Sequence, residues 1–146
     1  MMNFIIVLNF IIASVNPITH NWVLSEASLT SCSDGPGEMF FNGIDQNCVD
    51  TEYGRYCHVV YMSFQDDGSC TMRVETRHVE SDEQYTSYNF DGRYSVGIDG
   101  GLTICNTEMV SCEEVTYQID RDKLLLNGVW GCDGTMTFER VREDRH

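Results

Sequence analysis

The sequence predicts an all-β fold: an antiparallel up-and-down meander that closes into a small barrel stapled by disulfides. Three observations predict it. Short apolar alternations recur along the chain, most densely from Tyr94 to Val141, and a period of two marks a strand with one buried face. Each alternation is cut off by Gly, Asp or Asn, the residues that tight turns require. Finally, there are seven cysteines in 146 residues, which fits an oxidising compartment. A long meander of this kind does best by closing, because closure removes exposed edges.

The chain opens with Met-Met-Asn-Phe-Ile-Ile-Val-Leu-Asn-Phe-Ile-Ile-Ala-Ser. Its apolar run, Phe4 to Ala13, is shorter than the roughly 20 residues that span a bilayer. It has the length of the central region of a secretory signal, although no Lys or Arg precedes it. Residues 1–20 are therefore read as a signal segment, with cleavage after Ser14 or a few residues later. Residues 21–141 form one domain, and 142–146 a charged tail that frays.

Asn21 to Leu29 reads as the first strand. Ser31 to Gly37 is a turn cluster, Glu38 to Asn42 a short strand, and Gly43 to Arg55 a loop rich in Asp, Asn and Gly with room for a few residues of helix. Tyr56 to Phe64 is the next strand. It turns at Asp66-Asp67-Gly68, where Asp-Gly tolerates the positive φ of a hairpin. The following strand alternates most clearly: Cys70, Met72, Val74 and Thr76 on one face, Thr71, Arg73, Glu75 and Arg77 on the other. After a polar break at Glu80 to Gln84 comes Tyr85 to Phe90. Asp91-Gly92 reads as another hairpin, followed by alternating Tyr94, Val96 and Ile98. Asp99-Gly100-Gly101 turns the chain into Leu102 to Cys105. A loop from Asn106 to Glu114 precedes Val115, Tyr117 and Ile119. Asp120 to Asp122 turns, Lys123 to Asn127 returns, Gly128 to Gly134 connects, and Met136 and Phe138 lie on the last strand. The sum is about ten short strands with no long helix.

Composition narrows the function. The formal net charge is −14, which repels phosphate backbones and anionic lipid surfaces. Nucleic acid is set aside as a partner, while cations and basic proteins remain. No second apolar run is long enough to cross a membrane, and no Asn-x-Ser/Thr sequon is present.

Cysteine placement follows from the meander, since alternate turns lie at opposite ends. With the Asp66–Gly68 turn at one end, Cys32, Cys70, Cys105, Cys112 and Cys132 are expected there, and Cys48 and Cys57 at the other. A disulfide needs Cα atoms within about 7 Å, so Cys48–Cys57 and Cys105–Cys112 are the expected local pairs. Closure of the barrel brings Cys32 to Cys132. Cys70 is left over on the inward face, as an inert core thiol or, alternatively, a reactive or intermolecular one. No Cys-x-x-Cys and no zinc-like Cys/His spacing occurs.

Few residues suggest chemistry. Cys57 and His58 are adjacent but point to opposite faces of a strand, so they do not form a nucleophile pair. His78 reads as a structural histidine. No Gly-x-Ser-x-Gly, phosphate-binding or dinucleotide motif is present. Asp45-Gln46-Asn47, Asp66-Asp67 and Glu113-Glu114 offer oxygen ligands without a complete calcium loop, and turn chemistry explains them. No metal or cofactor is expected. Tyr61, Met72, Tyr94, Tyr117, Trp130 and Phe138 are the candidates to line an internal pocket, against the alternative that they fill the core.

Trp22-Val-Leu-Ser, Cys32 before Met39-Phe40-Phe41, Phe64-x-x-x-Gly68, Gly92-Arg-Tyr-Ser, Gly101-Leu-Thr-Ile, Tyr117-Gln-Ile-Asp-x-Asp-Lys-Leu-Leu-Leu and Thr137-Phe-Glu-Arg together resemble the small lipocalin-like domains of secreted proteins, within the broader calycin type. The same run is also similar to the META/HslJ type of small secreted β domain. The Gly-x-Trp that usually opens a lipocalin is absent around Trp22, and no helix follows the last strand. The resemblance implies a small barrel that binds rather than catalyses. The expected function is thus a secreted, non-catalytic binding protein holding a small apolar or amphipathic ligand. The alternative is a secreted structural or protein-interaction domain with a filled barrel.

Overall fold

The computed structural model describes residues 17–33, 38–108 and 110–142. The expected signal segment up to residue 16, and the tail from 143, lie outside the described residues. Among the described residues ten strands follow one another: β1 (Asn21–Thr30), β2 (Met39–Asn42), β3 (Cys48–Thr51), β4 (Gly54–Phe64), β5 (Ser69–His78), β6 (Glu83–Val96), β7 (Gly101–Asn106), β8 (Cys112–Asp120), β9 (Lys123–Asn127) and β10 (Asp133–Arg140). Two single turns of 3₁₀ helix, Ile44–Gln46 and Val129–Gly131, interrupt the connections.

From β4 to β10 each strand pairs antiparallel with the next, and β1 closes the ring between β10 and β4. The result is an eight-stranded antiparallel up-and-down barrel, with β2 and β3 as short flanking strands on β1 and β4. Closure is narrow: β1 meets β4 only at Asn21, Trp22 and Val23. A bulge at Ser25 then follows, because Leu24 pairs with Phe138 while Glu26 pairs with Thr137. Bulges bend a strand, and beyond this one β1 leaves β4 and takes β2 as its partner. The extra residue is satisfied: Ser25 Oγ donates to Thr137 O at 3.1 Å, and Ser25 O accepts the Gly43 N–H at 2.6 Å.

The two ends of the barrel differ. One carries the β4–β5, β6–β7 and β8–β9 turns and is sealed. Trp22 and Phe64 are fully buried there, as is Ile18, whose carbonyl accepts the Trp22 Nε1–H at 3.0 Å. Tyr94 packs edge-on against Phe64 and its hydroxyl donates to Gln65 O at 2.7 Å. Ile18, which lies before the boundary expected at residue 21, packs in this core.

Two sequence expectations are corrected. Asp91-Gly92 is not a hairpin: β6 runs unbroken through it for 14 residues. Gly92 is there for close approach, since a Cβ would lie 2.3 Å from Cys105 O and 2.7 Å from the Phe90 ring. With that turn removed, every later strand changes direction, and the unforeseen β3 does the same for β1 and β2 before it. Cys32, Cys105, Cys112 and Cys132 therefore lie at the same end as Cys48 and Cys57, opposite the Asp66–Gly68 turn. The pairs Cys32–Cys132, Cys48–Cys57 and Cys105–Cys112 are all formed: Cys105, Cys112 and Cys132 change ends with the false turn, Cys32 changes ends with the missed β3, and Cys48 and Cys57 stay where they were expected. Cys70 alone stays at the sealed end, as a buried thiol. The stretch read as a loop before Arg55 also contains β3, whose Cys48 sits opposite Cys57.

Candidate functional site

The open end is the one with mismatched strands. β9 ends at Asn127, opposite Thr116, so the first residues of β8 have no strand on that side. The 3₁₀ turn Val129–Gly131 fills the gap. On the other flank β6 pairs with β7 only from Gly92 to Val96. Its first nine residues, Glu83 to Asp91, therefore have no strand partner on the β7 side among the described residues.

Between these flanks lies an internal cavity of about 390 Å³. Its walls are apolar: Met62, Met72, Ile104, Val115, Leu126, Met136 and Phe138. Tyr88 and Phe90 of β6 stand on one side of the opening; Asn106, Ser111, Glu113, Trp130, Gly131 and Ser33 form the rest of the rim. A second cavity of about 320 Å³ adjoins it and shares Met72, Tyr88, Trp130 and Met136. Both volumes fall at the low end of ligand pockets.

Trp130 stands at the junction of the two cavities, in an unusual backbone state. Its φ is 56° and its ψ 25°, between Gly128 at φ 86° and Gly131 at φ 68°. A left-handed conformation in a bulky residue costs about 1–3 kcal/mol and persists only where its surroundings enforce it. Here a Glu113 carboxylate oxygen accepts the Trp130 N–H. The turn closes with Cys132 N–H to Val129 O at 3.0 Å, and Cys132 is tied to Cys32.

The predicted lining residues divide in half. Met72, Trp130 and Phe138 line the main cavity. Tyr94 is a plug of the sealed end. Tyr117 packs against the core without reaching either cavity. Tyr61 is on the other face of β4 from Met62, under the Arg73 guanidinium at 4.8 Å; an alternating strand cannot present both residues inward. Missed from the sequence were Met62, Tyr88, Phe90, Ile104, Glu113 and Met136. Tyr88 and Phe90 continue the inward series Gly92, Tyr94, Val96, a period hidden by the false turn.

The polar groups of the interior are engaged. His58 Nδ1 lies 2.8 Å from Thr76 Oγ1, which donates to Ser87 Oγ at 2.6 Å, and Ser87 Oγ donates to Val74 O at 3.3 Å. Read in that direction, His58 donates through Nδ1, and the chain ends on a backbone carbonyl. Burial holds the His58 pKa below its ordinary value. Burial also pushes the Cys70 thiol up to about 11, so it stays protonated. His78 bridges Ser81 Oγ and Tyr53 O, as a structural histidine would. Among the described residues no group of three or more His, Cys, Asp or Glu could hold a metal ion.

Fold and cavity together define a class: a closed eight-stranded antiparallel barrel, hollow toward one end, with three disulfides at that end. The disulfides fit an oxidising, extracellular-type environment, and no helix among the described residues is long and apolar enough to cross a membrane. Comparisons with protein-family models, with curated proteins and with solved structures returned no match.

Proposed function

We propose that this chain is a secreted, non-catalytic, lipocalin-like binding protein that holds a small apolar or amphipathic molecule inside its barrel. The observation that carries the reading is the cavity of about 390 Å³, walled by Met, aliphatic and aromatic side chains and rimmed by a few polar groups, the usual make-up of a small-molecule site. Secretion is supported by the apolar run Phe4 to Ala13 and by the disulfides. A binding role is favoured over a catalytic one because the His58–Thr76–Ser87 chain is directed into a backbone carbonyl, and the His78–Ser81 pair lies on an exposed turn away from the cavity.

Native mass spectrometry of the oxidised protein, offered a lipid and metabolite extract, tests the reading. An adduct lost on unfolding, and lost in a folded Ile104→Trp variant that fills the cavity, is expected. A clean apo monomer in every extract would refute it.

A second reading, docking of another protein, is favoured by the unpaired flank of β6, where Tyr85 and Tyr88 are exposed and a strand could be added. Tyr85→Lys would then abolish partner capture while leaving any cavity adduct in place.

A further inference from the structure

We infer that the cavity selects a ligand whose head is a cation, an amine on a compact one- or two-ring apolar body, and that it disfavours carboxylates. The inference rests on the binding reading above and adds the sign and size of the ligand.

Size comes from the cavity. An apolar space of about 150 Å³ accommodates benzene, so about 390 Å³ suits a fused pair of rings or one ring with a short side chain. Sign comes from the rim. Glu113 is the one acidic or basic side chain of the Asp, Glu, Lys, Arg or His type among the residues lining the cavity. One of its carboxylate oxygens is taken by the Trp130 N–H, and the other has no hydrogen-bond partner among the described residues. Tyr88, Phe90 and Trp130 stand at the same opening and offer ring faces that attract a cation.

The charge of the barrel is arranged along its axis in the same sense. Asp82, Glu83, Glu108 and Asp133 lie at the open end. The two arginines there are each beside an acid: Arg55 is 3.0 Å from Asp50, and Arg77 is 3.7 Å from Asp82. The sealed end is nearer balance: Arg93, Arg121, Lys123, Arg140 and Arg142 stand there among Asp66, Asp67, Asp99, Asp120, Asp122 and Glu139, and Arg142 is 2.8 Å from Asp122. The mouth therefore presents a negative field that draws in cations and repels anions. A ligand carboxylate at the rim would meet Glu113 with no cationic group in the cavity lining to offset the repulsion. An ammonium would gain a charge-assisted hydrogen bond.

Three probes with one body separate these effects: 2-(1-naphthyl)ethylamine, 2-(1-naphthyl)ethanol and 1-naphthylacetate, measured by equilibrium dialysis against the full oxidised protein. The amine is expected to bind about tenfold or more tighter than the alcohol, and the acetate weakest. Glu113→Gln, which keeps an oxygen for the Trp130 N–H, should bring the amine to the level of the alcohol. If Glu113→Gln does not fold, the rank order with the native protein still decides. Equal binding of all three, or tightest binding of the acetate, would overturn the charge selection while leaving the cavity reading intact. Binding of none would overturn both.

Discussion

Removing the Cys32–Cys132 bridge should destabilise this barrel far more than removing Cys105–Cys112. The two bridges close loops of very different length, with sequence separations of 100 and 7. If a cross-link acts by restricting the unfolded chain, its contribution grows with the logarithm of the loop, giving about 4.7 kcal/mol for the longer and about 2.4 kcal/mol for the shorter. Cys48–Cys57, at a separation of 9, falls near the shorter at about 2.6 kcal/mol. Packing losses largely cancel in the comparison, since Cys132 is 4% exposed and Cys105 2%. Paired Cys→Ala variants in a Cys70→Ala background, where no thiol can reshuffle, are unfolded in urea. The expected result is a gap of about 2 kcal/mol between the variants, with a steeper denaturant dependence for the longer loop because its unfolded chain exposes more surface. Gly131 and Ser33, neighbours of this bridge, line the cavity, so the same variant should also weaken binding of a naphthyl probe. Equal losses for the two bridges would refute the loop-closure reasoning.

Three further outcomes are expected. Cys70 should be the single free thiol and should resist iodoacetamide in the native protein, reacting only on unfolding, because burial holds its pKa at about 11; rapid native alkylation would contradict this. A chain starting at Asn21 should be less stable than one starting at Pro17 by about 1.5–3 kcal/mol for the buried Ile18 side chain, with a further loss from the unpaired Trp22 N–H; coincident melting curves would refute it. Finally, His58 is depressed by burial, and His20 by burial and Arg140. Below the ordinary histidine value of 6.5 the unfolded chain takes up protons before the native one does. Stability should therefore be full above that pH and fall as the pH drops through the lower native values; His58→Gln should flatten the slope, and an unchanged slope would count against the burial of His58.

The barrel was legible in the sequence because its signals are local. The alternation of Cys70, Met72, Val74 and Thr76 survives intact in β5, and the Asp66–Gly68 turn has Gly68 at φ 87° as a hairpin requires. Asp91-Gly92 carries the same dipeptide for another purpose. Its glycine leaves room for the Cys105 carbonyl of β7 and for the Phe90 ring, a tertiary demand that local pattern cannot distinguish from a turn. That single substitution of roles reversed the later strands and hid Tyr88 and Phe90 from the lining series. Glu113 was hidden differently. It was grouped with Glu114 in a loop, while the register places it opposite Ile104 on β7, on the face that lines the cavity.

Glu113 ties the stability of the barrel to what it would bind. β9 stops at Asn127 and leaves the first residues of β8 without a strand on that side, and a turn held in a left-handed conformation fills the gap. One carboxylate oxygen secures that turn through the Trp130 N–H; the rest of the charge faces the cavity mouth. A neutral residue that cannot accept a hydrogen bond would release Trp130 from its strained state and remove the rim charge in one step. Glu113→Gln preserves the first function and removes the second, whereas Glu113→Leu removes both. A loss of stability confined to Leu, beside a loss of amine preference in both variants, is therefore the pattern that one carboxylate with two separable roles must produce.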